Sequence, residues 1–116
     1  MTFAELLAWQ WSDYAAKHRH PGNLVIHIVA VPLFMLGCVG IVVGVITPAA
    51  AKIAWSVGLM LAAVVLEGVG HRLESEQPAP FDGPTDFLKR FFVEQWVTFP
   101  RFVLSGRYLR NLTGRD

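Results

Sequence analysis

"LVIHIVAVPLFMLGCVGIVVGVITPAAAKIAWSVGLMLAAVVLEGVGH", residues 24–71, is the stretch on which the fold turns. Residues 24–46 carry no formal charge. A helix of that length covers roughly 34 Å at about 1.5 Å per residue, enough to cross a hydrocarbon core of about 30 Å. Thr47-Pro48 then reads as an N-cap followed by proline at the first helical position, so a second helix is expected to begin at once. It runs over 48–70 and is interrupted by Lys52, which can snorkel from the first turn, and by Glu67. Two such helices joined by a tight turn form a hairpin. Gly37, Gly40 and Gly44 on the first, with Gly58 and Ala62 on the second, offer small-residue surfaces for close backbone approach.

Upstream, Thr2-Phe3-Ala4-Glu5 fits a capping box, and apolar residues recur from Phe3 to Ala15 at helical spacing. The expectation is an interfacial helix over 2–17, with Trp9 and Trp11 at headgroup level. Glu5 precedes any Lys or Arg, which does not suit a secretory signal. Downstream, residues 74–84, "ESEQPAPFDGP", form a turn-rich connector. Residues 85–110 are aromatic but carry Lys89, Arg90, Glu94 and Arg101, a poor span. Interfacial helices suit them better, with Phe87, Leu88, Phe91, Phe92 and Trp96 toward lipid and a break at Pro100.

Of the 116 residues 53% are apolar and 16% charged, and the mean hydropathy is +0.43. These values point to one lipid-embedded domain, residues 1–116, rather than a soluble one. The expected class is all-α: an integral membrane helical hairpin with amphipathic interfacial helices at both ends. A net charge of +1 with no basic cluster excludes nucleic acid as a partner. Cys38 is the single cysteine, which excludes a disulfide framework or a thiolate zinc site. Of ten Lys and Arg, only Lys52 lies at the hairpin turn, so both termini are expected on the cytoplasmic side. That means the inner membrane in a bacterium and the endoplasmic reticulum in a eukaryote.

A hairpin puts the start of its first helix beside the end of its second. His18, His20 and His27 therefore meet Glu67, His71 and Glu74 at one membrane face, and Glu67, His71 and Glu74 fall on one stripe if the second helix continues past Gly70. Four imidazoles with carboxylates and no thiolate suit Zn, Fe, Ni or Cu. Plainer readings stand beside this one. A His27–Glu67 hydrogen bond would lock a hairpin without any metal, His20 serves as well as polar filler in a turn, and Asn23 suits an N-cap. Pro32 removes the hydrogen bond to the Ile28 carbonyl and loosens the helix beside His27, for ligand geometry or for packing. Three functions fit: a metal enzyme, a non-catalytic membrane scaffold or assembly protein, and a metal or proton transporter subunit built by oligomerisation.

The residues Tyr14, His18, His20-Pro21, Asn23, His27 and Val31-Pro32-Leu33, followed by Gly70-His71, Glu74 and Pro78-Ala79 and then "EQWVTFPRFVLSG", carry a resemblance. From about Phe3 to Tyr108 the chain resembles the small membrane-protein family typified by the fungal 2-hydroxy fatty acid dioxygenase of the endoplasmic reticulum. The resemblance implies an Fe(II)-dependent enzyme that uses O₂ to convert a long-chain 2-hydroxy fatty acid into a chain one carbon shorter. His18, His27 and His71 match the family's essential histidines, Asn23 and Glu74 its accompanying polar positions, and His20 mainly its bacterial-looking members. The second block departs from the family pattern in that His71 stands three residues before Glu74 instead of four. The ligand set so implied is His18, His27 and His71, with His20 or a carboxylate of Glu67 or Glu74 completing or supporting it. Tyr14 and Pro32 are the candidates for contact with the substrate.

Overall fold

The computed structural model describes residues 1–114 and contains helices and turns only. Helix α1 (Phe3–Ser12) opens on the expected capping box: Glu5 N–H donates to Thr2 Oγ1 at 3.1 Å and Thr2 N–H to Glu5 Oε1 at 2.8 Å. It stops short of Lys17. The Ser12 hydroxyl bonds back to the Trp9 carbonyl at 2.7 Å, competing for the last turn, and the chain resumes as a single 3₁₀ turn, Ala15–Lys17. This break turns Tyr14 and His18 inward, and both are buried.

Helix α2 (Pro21–Ile46) and helix α3 (Ala50–Arg72) form the hairpin, and each is long and apolar enough to cross a membrane. Only 28% and 22% of their apolar windows are buried, which is unlike core helices of a soluble protein. The outward faces expose Val25, Val29, Leu36, Val39, Val42 and Val45 on α2 and Trp55, Leu61 and Val65 on α3. Such faces need an apolar surrounding, and the hairpin fits a membrane.

The turn between them differs from the expectation. Thr47 does not cap α3: its hydroxyl and its N–H both bond back to the Val43 carbonyl, at 2.7 and 2.9 Å, and so close α2. Ala49 is the extended residue that opens α3, with no side-chain cap. At the other end α2 begins at Pro21, with His20 and not Asn23 as the N-cap, because His20 Nδ1 accepts the Gly22 N–H at 3.0 Å. Gly37, Gly40 and Gly44 do face α3, where a methyl group on any of them would overlap Met60, Ser56 or Ile53. Gly58 and Ala62 do not face α2. A Cβ on Gly58 would meet nothing within 4 Å, Ala62 is exposed, and the contact surface of α3 is Ile53, Ser56, Met60 and the fully buried Ala63.

The C-terminal part wraps the open end of the hairpin. Helix α4 (Pro84–Val93) is followed without a break by a π turn, Glu94–Thr98, in which the Phe99 N–H reaches back to the Glu94 carbonyl. Helix α5 (Phe99–Leu104) and helix α6 (Arg107–Leu112) follow. Pro100 does not break the chain. It lies in the first turn of α5, where a missing N–H is tolerated, and the interruption falls at Gly106, whose φ of +85° suits glycine. The aromatic face also departs from the expectation: Leu88, Phe92 and Trp96 are exposed, but Phe91 is buried and Phe87 packs beside it against Phe34, Ala30 and Ala63. A second core of Tyr14, Leu24, Val31, Phe99, Phe102 and Tyr108 joins α2 to α5 and α6. Polar ties complete the wrap. Tyr108 Oη donates to the Leu24 carbonyl at 2.9 Å, and Asn111 Nδ2 donates to the Ala15 and His18 carbonyls at 2.9 and 2.8 Å.

Candidate metal centre

His18 follows the 3₁₀ turn, His27 lies two turns into α2, and His71 is in the last turn of α3. Their rings form a nearly equilateral triangle, with centroids 4.9, 4.9 and 5.0 Å apart and planes 80–90° to one another. Glu94, the first residue of the π turn, closes the group. Its Oε2 lies 3.4 Å from His18 Nε2 and 3.5 Å from His27 Nε2. One donor atom from each of His18, His27, His71 and Glu94 falls within 4.8 Å of the others, so the four could hold a metal ion.

The hydrogen bonds around the cluster set the ring tautomers. His18 Nδ1 lies 2.7 Å from the Tyr14 carbonyl and His27 Nδ1 3.1 Å from the Asn23 carbonyl. A carbonyl only accepts, so Nδ1 carries a hydrogen in both rings, and each Nε2, which bears a lone pair whenever the ring is neutral, is directed into the cluster. These nitrogens find no donor: His18 Nε2, His27 Nε2 and His71 Nδ1 are all buried without a hydrogen-bond partner. Each such orphan costs about 1–3 kcal/mol. A protonated His27 pairs its Nε2 with Glu67 Oε1, 3.2 Å away, as a lock between α2 and α3, but that lock leaves His71 Nδ1 without a partner, whereas a cation among the three rings satisfies all of them.

Glu94 is held in its charged form. Burial alone would raise its carboxyl, but hydrogen bonds and positive charge from His18 and His27 in their protonated form outweigh burial and hold it well below the usual carboxylate range. The Tyr14 phenol donates to Glu94 Oε2 at 2.7 Å, while its ring stacks on His18 at 3.8 Å. Burial, and then the Glu94 charge, push the Tyr14 hydroxyl well above its ordinary value, so it stays a donor.

Around this group stands a ring of supports. Glu67 Oε1 lies 3.2 Å from His27 Nε2 and accepts from Gln95 Nε2 at 2.8 Å, both residues being almost fully buried. Glu74 is turned away from the cluster. Its carboxylate accepts the backbone N–H groups of Arg19 and His20 at 3.0–3.1 Å and Asn23 Nδ2 at 2.7 Å, an anion set against the N-terminus of α2 that holds the His18 turn. Asn23 in turn sits against Gly70, where a Cβ would collide with its Oδ1. His20 is exposed and engaged as the α2 cap, outside the cluster, and Pro32 is exposed on the outer face of α2. The sequence does not single out Gln95, and it offers Glu94 only as a weaker candidate, single charges at an interface being common. Glu94 is the one carboxylate between Asp86 and Asp116, in an aromatic tract, and a lone acid in such a setting is the signal that marks it.

Beside the cluster opens a cavity of about 370 Å³. Its polar floor is His18, His71, Glu67 and Glu94; its walls include Trp9, Val64, Phe81, Phe87 and Phe91; and it is also lined by Arg72, by Lys17 paired with Asp13, and by Arg90 paired with Asp86. A polar, metal-competent floor under apolar walls suits an amphiphile.

The family described as "2-hydroxy-palmitic acid dioxygenase Mpo1-like" matches residues 4–104. No curated protein and no solved structure matches the chain significantly.

Proposed function

The chain belongs to the Mpo1-like family, and from that premise we propose that it is a membrane-embedded, Fe(II)-dependent dioxygenase that shortens long-chain 2-hydroxy fatty acids by one carbon. The observation that carries the reading is the set of buried, unpartnered nitrogens of His18, His27 and His71 facing the Glu94 carboxylate. Neutral imidazoles with one carboxylate are a ligand set suited to non-haem iron. Bound there, the iron supplies the redox chemistry that activates O₂.

The protein's own groups do the rest. Tyr14 and the backbone carbonyls of Tyr14 and Asn23 fix the orientation of Glu94, His18 and His27, and Gln95 holds Glu67 against His27. Outer partners of this kind raise ligand basicity and fix ring geometry. The carboxylate and 2-hydroxyl of the substrate sit on the polar floor, and the cations at the cavity draw the anionic head in. The aromatic walls exclude water from the reacting carbons while the alkyl chain stays in lipid. With both termini cytoplasmic, the cluster lies at the cytoplasmic headgroup level.

Anaerobic loading of purified protein with Fe(II), followed by O₂ and a long-chain 2-hydroxy acid, tests the reading. The expected result is a product one carbon shorter, with one iron per chain. A folded protein that takes up no transition metal would instead favour the scaffold reading.

A further inference from the structure

Four glycines of the hairpin, Gly37, Gly40, Gly44 and Gly70, are forced by close packing, since a Cβ on any of them meets a neighbour. Gly68 is different. A Cβ there would meet nothing within 4 Å, yet Gly68 lines the cavity beside the metal-competent cluster. A glycine inside a helix is destabilising relative to alanine, and no packing contact in the structure requires this one. What the missing side chain leaves open is cavity.

Val64, Gly68 and Arg72 stand at i, i+4 and i+8 on one stripe of α3, and all three line the cavity. Gly68 lies one turn nearer the middle of the hairpin than Arg72 and about 4.5 Å below His71 along the helix. Phe87 and Phe91 of α4, whose rings stack with centroids 5.4 Å apart, line the same cavity. An amphiphile with its head at His71 therefore has an apolar course for its tail past Gly68 and Val64, beside Phe87 and Phe91 and close to the exposed Leu61 and Val65 of α3.

We propose that Gly68 is the chain gate of the site: the alkyl tail passes over its bare backbone, and the absence of a side chain there determines which chain lengths enter. The proposal rests on the reading of the substrate as a fatty acid, but not on the reaction that the acid undergoes.

The test is binding, measured by calorimetry on the full chain in lipid nanodiscs against empty nanodiscs, with straight-chain 2-hydroxy acids from short to long and the same series without the hydroxyl. Gly68→Leu is expected to weaken the long acids by about tenfold or more while leaving the shortest within about twofold of the parent protein. Gly68→Ala should fall between, and should carry the comparison if the leucine variant fails to fold. Gly58→Leu, the same change at a glycine that lines no cavity, should match the parent throughout. Metal content should hold in every variant, and the thermal midpoint should hold or rise. Equal affinities for all lengths in parent and Gly68→Leu, or an equal loss at every length, would overturn the gate. A length-dependent loss in a protein that leaves 2-hydroxy acids unconsumed upholds the gate and sinks the dioxygenase reading alone.

Discussion

Tyr14 and Glu94, eighty positions apart in the chain, meet through a 2.7 Å hydrogen bond from phenol to carboxylate. The same phenol ring stacks on His18, so one side chain orients two of the four candidate ligands. Tyr14→Phe keeps the stack and removes only the donor. Metal affinity, measured by competition with a chelator, is expected to fall by about tenfold, the usual scale for losing an outer partner of a ligand. An unchanged affinity would show that Glu94 needs no phenol to hold its place.

His27 and His20 separate the roles of two histidines that look alike in sequence. His27→Ala removes a fully buried imidazole, leaves Glu67 with one partner fewer and should abolish stoichiometric metal. His20→Ala removes only the acceptor for the Gly22 N–H and should cost about 1 kcal/mol of stability with metal retained. Elemental analysis beside thermal unfolding reads both outcomes. Loss of metal from His20→Ala would place it among the ligands after all.

Glu74 is expected to act on stability more than on metal stoichiometry. Glu74→Ala deprives three donors of their acceptor, and a charged hydrogen bond is worth about 1.5–3 kcal/mol, so the thermal midpoint should drop by several degrees. Glu74→Gln keeps an acceptor oxygen and should recover part of the loss. One metal per chain should persist in both. A variant that unfolds like the parent yet carries no metal would make Glu74 a ligand.

Acid should strip the metal in a defined order. Ligating imidazoles must be neutral, so metal affinity falls as protons compete for their nitrogens on acidification. Glu94 takes up its proton last, because its folded-state value lies well below the ordinary carboxylate value of about 4.3. With a depressed value in the folded state, its contribution to stability is complete above the ordinary value and is lost only as pH falls through the depressed one. Metal release and unfolding should therefore be two separate transitions on an acid titration followed by metal content and circular dichroism. A single transition in which metal and structure are lost together would contradict this ordering.

Much of the architecture is written in hydropathy. The uncharged run from Leu24 to Ile46 and the near-uncharged run after it can only pair as a hairpin, and the glycines of α2 mark its inner face. The inner face of α3 is less legible, because small size does not say which way a residue points: Gly58 and Ala62 look suited to packing and face out, while Ser56 and Met60 make the contacts. Thr47-Pro48 has the residue types of a helix start, yet the threonine hydroxyl is as well satisfied one turn back, at Val43. At the cluster, hairpin geometry is enough to bring His27, Glu67 and His71 together. Glu94 and Gln95 escape such reasoning because they arrive from a segment whose placement depends on long-range packing of Phe91, Phe99 and Phe102, which no local spacing encodes.

The Asn111 amide, which grips the carbonyls of Ala15 and His18, also bears on timing. Synthesis proceeds from the N-terminus, and a nascent hairpin that has just entered the bilayer holds three imidazoles but neither Glu94 nor this clasp. Closing loops of such span is entropically costly and slow. The fourth candidate ligand and the clasp on the His18 turn thus join the cluster only once the last helices have been made.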